Sequence, residues 1–159
     1  MIRCTIDPLI HHEARINHVK MAMIVLVSGC DAEEAGGIGS IMAEHELTAQ
    51  RLRERCLALP GASEEFPFGD EVSVFKVGGK MFALSHLDGE PLQVSIKCDP
   101  ELAVQLRSAY EAITPGYLLN KRHWNTITLD GSVPGEMVAD LVGDSYDLVV
   151  ASLPKARRP

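Results

Sequence analysis

The chain has 159 residues, 46% of them hydrophobic and 23% charged, with 15 Lys+Arg against 22 Asp+Glu and a formal net charge of -7. That composition suits a single soluble globular domain whose apolar residues can build a core without disulfides or metal. It excludes a protein that coats nucleic acid by bulk positive charge, while leaving room for a local basic stripe.

The cysteines, Cys4, Cys30, Cys56 and Cys98, form no CxxC pair, and no histidine lies at finger spacing from them. They read as reduced thiols of a cytoplasmic protein, and neither a structural zinc nor any other metal or cofactor is expected.

The first forty residues stand apart. Their one strongly apolar run, "MAMIVLVSGC" from Met21 to Cys30, falls well short of the roughly 20 apolar residues that span a bilayer. Val27-Ser28-Gly29-Cys30 has the form of a lipobox with Lys20 ahead of it, yet Asp7 and Glu13 suit an export leader poorly. The favoured reading makes residues 1–41 an extension, with a start codon called too early. Met42 then opens a domain over 42–155, and a mobile basic tail follows at 156–159. The histidines of "HHEARINH" (His11, His12, His18) sit in no ligand frame and read as solvated.

Along the domain, Glu44 to Leu59 has the periodicity of a helix, with Leu47, Leu52, Cys56 and Leu59 on one side and Arg51, Arg53 and Arg55 mostly on the other. Pro60-Gly61 ends it. "ASEEFPFGDE" reads as a loop. Val72 to Val77 alternates as a strand, Gly78-Gly79 signals a hairpin turn, and Met81 to His86 returns. Asp88-Gly89 turns again, and Leu92 to Lys97 is a third strand.

Asp99 suits an N-cap and Pro100 the first helical position, so a second helix begins there. Thr114-Pro115-Gly116 breaks it, and Tyr117 to Leu119 reads as a short extended segment. Trp124 to Leu129, "WNTITL", is a strand closed by Asp130-Gly131. Pro134 opens a last helical region to about Leu153, which Gly143-Asp144-Ser145 divides in two.

The order is helix, three strands, helix, two strands, helix. Hairpins impose antiparallel pairing, so the class is α+β, a two-layer arrangement with helices on one face of a mostly antiparallel sheet and water on the other. Alternation turns Phe75, Val77, Ile127 and Leu129 to the core. It turns Lys76, Lys97, Trp124, Thr126 and Thr128 to the open face.

The segments "LPGASEEFPFG", "VFKVGGKMFAL", "IKCDPE", "PGYLLNKRHWNTITLDGSVP" and "SYDLVVASLPK" together resemble the MmcQ/YjbR family of small bacterial proteins, from about Leu47 to Lys155. The resemblance implies a two-layer fold of the secretion-chaperone-like type, and a DNA-binding protein with a double-wing surface.

The stretch "NKRHWNT" carries the chemistry that fits this. Lys121 and Arg122 can neutralise phosphates, Asn120 and Asn125 can donate hydrogen bonds, and His123 and Trp124 can stack on a base. Lys76, Lys97 and Lys80 would extend the positive surface, and Lys155, Arg157 and Arg158 would add the tail. The bland reading has Trp124 covering the sheet edge, Lys121 and Arg122 paired with Asp130 or Glu136, Asn120 capping a turn and His123 partly buried.

A different class is a peptide- or protein-binding module that uses a free sheet edge or apolar helix surface. Glu64, Glu65, His86 and His123 supply no spacing that ties an acid to a base, and the acidic "EEFPFGDE" reads as solvated, so no catalytic residue is assigned and the protein is read as non-enzymatic. No membrane partner is expected.

Overall fold

A computed structural model of the chain describes residues 47–159. The lipobox cysteine, the N-terminal histidines and the domain start at Met42 lie outside the described residues.

Helix α1 covers Ala49–Leu57. It starts later than the periodicity suggests because Thr48, in extended backbone, caps it: its hydroxyl accepts the Arg51 amide at 3.3 Å. Leu52 and Cys56, four residues apart, face inward, and Arg51, Arg53 and Arg55 face out.

The segment read as a loop begins with a strand, β1 (Ala62–Glu65), antiparallel to β2 (Ser73–Val77). Two glutamates and a serine are poor strand formers. The pairing is carried from outside the segment, by the β2 ladder and by the Glu64 carboxylate, which Arg53 of α1 grips through two nitrogens at 2.7 and 2.9 Å.

β2 turns into β3 (Lys80–His86) through Gly78 (φ 56°) and Gly79 (φ 80°), the two positive angles that a tight hairpin requires. β3 departs from simple alternation. Phe75 pairs with Ala83 but Lys76 pairs with Met81, so Phe82 is an extra residue, a β-bulge. Phe82 and Ala83 therefore both reach the core, while Met81 and Leu84 fall on the open face. The Phe82 ring meets Tyr146 edge-on at 5.5 Å.

β4 (Gln93–Lys97) leads to α2 (Pro100–Ala109), whose first amides, of Glu101 and Leu102, donate to the Asp99 carboxylate. Short β5 (Ile113–Pro115) and β6 (Trp124–Thr128) follow, then α3 (Gly135–Ala151) and a 3-10 turn at Lys155–Arg157. The extended segment sits at Ile113–Pro115, earlier than expected. Tyr117 to Leu119 is a turn.

The sheet has six strands in the order β1-β2-β3-β4-β6-β5, all antiparallel. The α+β class and the element order read from sequence hold, with β1 added ahead of the three central strands. Side chains of α1, α2 and α3 join Phe75, Val77, Val94, Ile96 and Ile127 in one core, so all three helices cover one sheet face. Among the described residues no helix is long and apolar enough to cross a membrane.

The break expected at Gly143-Asp144-Ser145 is absent: α3 runs through it. Ser145 acts in packing rather than in ending the helix. Its hydroxyl donates to the Phe82 carbonyl (2.5 Å) at the bulge and accepts the Lys97 amide (2.8 Å) at the end of β4. The bulge interrupts the β3–β4 ladder there, and a small hydroxyl on the helix bridges the gap.

The C-terminal tail is likewise held rather than mobile. The Arg158 guanidinium donates to the Leu153 and Ala151 carbonyls at the end of α3, and Pro159 lies against Gly61.

Candidate functional site

Strand register places the open face without ambiguity. Lys97 pairs with Trp124, Ser95 with Thr126 and Gln93 with Thr128, and each pair alternates with core pairs Ile96–Asn125 and Val94–Ile127. The open face of β4 and β6 is therefore a polar ladder. Ser95 and Thr126 share a hydrogen bond of 2.8 Å, and the Gln93 amide donates to the Thr128 hydroxyl at 3.2 Å.

The NKRHWNT stretch begins as a turn at one end of this ladder. Asn120 organises it: its side-chain oxygen accepts the Arg122 amide at 3.0 Å, and its carbonyl accepts the amides of His123 and Trp124. The Cys98 amide donates to the His123 carbonyl at 2.7 Å, which ties the turn to the end of β4. From α2, Arg107 donates through Nη2 to the Lys121 carbonyl (2.7 Å) and through Nε to the Ala103 carbonyl (3.0 Å). The turn is thus fixed on a strand end and a helix. Arg107, which sequence reasoning did not single out, is the clamp.

The candidate residues divide by position. Lys121, Arg122 and Asn120 are exposed, and Lys97 and His123 are half-buried beside them. Among the described residues, no carboxylate lies within ion-pair distance of Lys97, Lys121 or Arg122. Asp130, one expected partner, is engaged by the Ser132 hydroxyl and amide, which hold its carboxyl below the usual range.

Lys76 differs. It lies on the open face two strands from Lys97, about 10 Å by strand spacing, and its ammonium is paired with Glu65. Lys80 donates to Ser152. The positive strip is accordingly continuous at the β4–β6 corner and interrupted by Glu65 toward β1.

Trp124 is only 8% exposed, although it lies on the open face. Gly116 lies against it: the Gly116 amide donates to the Trp124 carbonyl, and a Cβ at 116 would stand 2.9 Å from the Trp124 Cβ. With so little of it exposed, Trp124 presents no free face to a ligand. Asn125 is fully buried on the core side, donating to the Ala103 carbonyl at 3.2 Å, so it too is removed from any ligand. The aromatic and apolar residues that do stand out at this corner are Tyr117 and Leu118, 80% and 88% exposed.

Two other features are chemically quieter. Burial first, and the Asp144 carboxylate second, push the Cys98 thiol up to about 12, which leaves it protonated and unreactive. A cleft of about 260 Å³ between α1 and α3, lined by Arg55, Leu59, Asp140 and Val142 among others, is small for a ligand pocket. Among the described residues no group of three His, Cys, Asp or Glu could hold a metal ion.

The sequence model described as YjbR matches residues 57–148. The chain is 41% identical over 112 residues to a protein of Escherichia coli O157:H7 named "Uncharacterized protein YbdF", covering 70% of this chain and 88% of that one. It is 36% identical over 113 residues to "Uncharacterized protein YjbR" of Escherichia coli K12, covering 70% and 95%. Among solved structures, Deinococcus radiodurans protein DR2400, with a domain described as DUF419, is similar at a TM-score of 0.66 and 47% identity, over 70% of this chain and 85% of that one. A Pseudomonas syringae protein is similar at a TM-score of 0.54 and 25% identity, over 62% and 96%.

Proposed function

The chain belongs to the YjbR family, and on that premise we propose that it is a non-enzymatic DNA-binding protein whose contact surface is the corner formed by Lys97, Lys121 and Arg122. One observation carries the reading. These three cations share one end of β4 and β6 and have no acidic partner among the described residues, whereas Lys76 is neutralised by Glu65. A cluster left unpaired in an acidic protein is suited to an external anion, and a strand-built surface with exposed amide donors can follow a phosphate backbone.

The overall charge weighs less against this than the total suggests. Residues 47–159 hold 12 Lys+Arg against 15 Asp+Glu, a balance of -3, so more than half of the -7 belongs to the first 46 residues. The residues gathered at the corner are cations and hydrogen-bond donors, with no acid–base pair, which favours binding over catalysis. The test is a titration of labelled random-sequence DNA, wild type beside Lys121→Gln/Arg122→Gln. Loss of binding in the double variant, with the fold intact, is the expected result. Equal binding by both proteins would move the site elsewhere.

A peptide-binding reading has its own observation. Among the described residues no strand pairs with the outer edge of β1, and Phe66 and Phe68 just beyond it are exposed beside Asp70 and Glu71. An extended basic and apolar peptide would add there as a seventh strand. Its test is peptide-library capture that Phe68→Ser abolishes and Lys121→Gln/Arg122→Gln leaves untouched.

A further inference from the structure

Resting on the nucleic-acid reading above, we infer that the turn Gly116–Leu119 is a stacking wedge, with Tyr117 and Leu118 as the contact pair, and that its ligand is a single strand rather than a duplex. The turn is closed by the Leu119 amide on the Gly116 carbonyl, which places Tyr117 and Leu118 at its two central positions. Leu118 has φ 57°. A turn with a positive angle at its third residue ordinarily takes glycine or asparagine there, because a branched side chain crowds its own backbone. Here a leucine occupies it, 88% exposed, beside a tyrosine 80% exposed. These are the two most exposed large apolar side chains among the described residues.

The turn cannot relax inward. Gly116 is packed against Trp124 on one side, Asn120 fixes the backbone on the other, and Arg107 holds the Lys121 carbonyl behind it. The fold thus holds an apolar pair in water on a fixed support, with free cations three to five residues along the chain.

The neighbouring chemistry chooses the occupant. An apolar pair backed by Lys121, Arg122 and Lys97 complements a polyanion that also offers flat apolar faces. A single strand does: its bases stack on an aromatic ring while the adjacent phosphates meet the cations. A duplex hides those faces and must be unstacked before a wedge enters. An anionic bilayer would favour a broader apolar surface than two side chains, and the open face leading away from the turn is a ladder of hydroxyls and amides.

The experiment measures anisotropy of a labelled oligothymidine of about 12 nucleotides, inside the range of single-strand site sizes, and of a random duplex of equal length. Wild type should bind the single strand more tightly than the duplex. Tyr117→Ala should weaken single-strand binding roughly 10- to 100-fold, the range of base stacking on one aromatic ring, and Tyr117→Phe should restore it. Leu118→Gly relieves the backbone and removes the wedge, so it should raise the melting temperature while weakening the single strand.

Several results would overturn the inference. If Lys121→Gln/Arg122→Gln abolishes binding while Tyr117→Ala leaves it unchanged, the wedge is refuted and the cationic site survives. If wild type binds neither oligonucleotide at low salt, both fall together. If vesicles of phosphatidylserine and phosphatidylcholine bind in a Tyr117-dependent way while the oligothymidine does not, the turn belongs to a membrane surface instead.

Discussion

Ser145→Ala should be far more damaging than the loss of one hydroxyl on a helix suggests. Ser145 is fully buried and serves two backbone groups: the Phe82 carbonyl at 2.5 Å and the Lys97 amide at 2.8 Å. Removing the hydroxyl leaves both without that partner. A buried group left unsatisfied costs about 1–3 kcal/mol. The Phe82 carbonyl is in the interior and should bear the full penalty. The Lys97 amide is only partly buried, so water can replace some of its bond. The sum is about 2–4 kcal/mol, read as a lower urea midpoint with an unchanged slope.

Ser108→Ala is the control, since its hydroxyl bonds the Val104 carbonyl on an exposed helix face and its loss should fall within about 0.5 kcal/mol. Amide exchange adds a local readout, with the Lys97 amide losing protection in Ser145→Ala. A destabilisation under about 1 kcal/mol, with Lys97 still protected, would refute the idea that α3 closes the gap opened by the bulge.

Three further outcomes follow from packing and burial. Gly116→Ala forces a Cβ to 2.9 Å from the Trp124 Cβ and should lower stability by about 1–3 kcal/mol, seen in a thermal melt; unchanged stability would mean that the close approach of Gly116 to Trp124 yields without cost. Trp124→Ala should destabilise the fold by about 2–4 kcal/mol rather than affect binding alone, and wild-type Trp124 emission should be blue-shifted and move to longer wavelength on unfolding. Burial pushes the Cys56 and Cys98 thiols up to about 12 from an ordinary 9.0. Between those values the unfolded chain has released thiol protons that the folded chain keeps, so stability should fall as pH rises from about 9 to about 12. At pH 8, mass spectrometry should find Cys56 and Cys98 unalkylated until denaturant is added.

Much of this architecture is written in local chemistry. Gly78-Gly79 could hardly be anything but a tight hairpin, and Asp99-Pro100 announces a capped helix. Alternation along β4, apolar at Val94 and Ile96 and polar at Gln93, Ser95 and Lys97, assigned the sheet faces correctly, and the same period carries Asn125 of β6 into the core despite its polarity. What escaped depends on distant partners. β1 is polar, and it is a strand because β2 and Arg53 make it one. Gly143 to Ser145 looks like a break, yet it is a continuous helix because its serine answers a bulge some sixty residues earlier. The bulge itself is invisible in a run of apolar residues such as Met81 to Leu84.

At the candidate site Lys97, Lys121 and Arg122 stand together at one corner while Lys76 is paired with Glu65, and the expected stacking ring, Trp124, is buried. The only tryptophan drew attention, whereas the ring that reaches solvent is Tyr117. Pro115-Gly116 before it and Asn120 after it were the turn signals that could have shown this.

If Lys97, Lys121 and Arg122 meet phosphates, the salt dependence of DNA binding must report it. Each phosphate neutralised contributes a slope of about 0.9 in log affinity against log salt on a duplex and about 0.7 on a single strand. Three contacts give roughly 2.7 and 2.1 respectively, and Lys121→Gln/Arg122→Gln should remove about two thirds of either slope while weakening all sequences alike. That loss of slope is the expected result. A slope unchanged in the double variant, or no binding by the wild-type protein at the lowest salt, would contradict it.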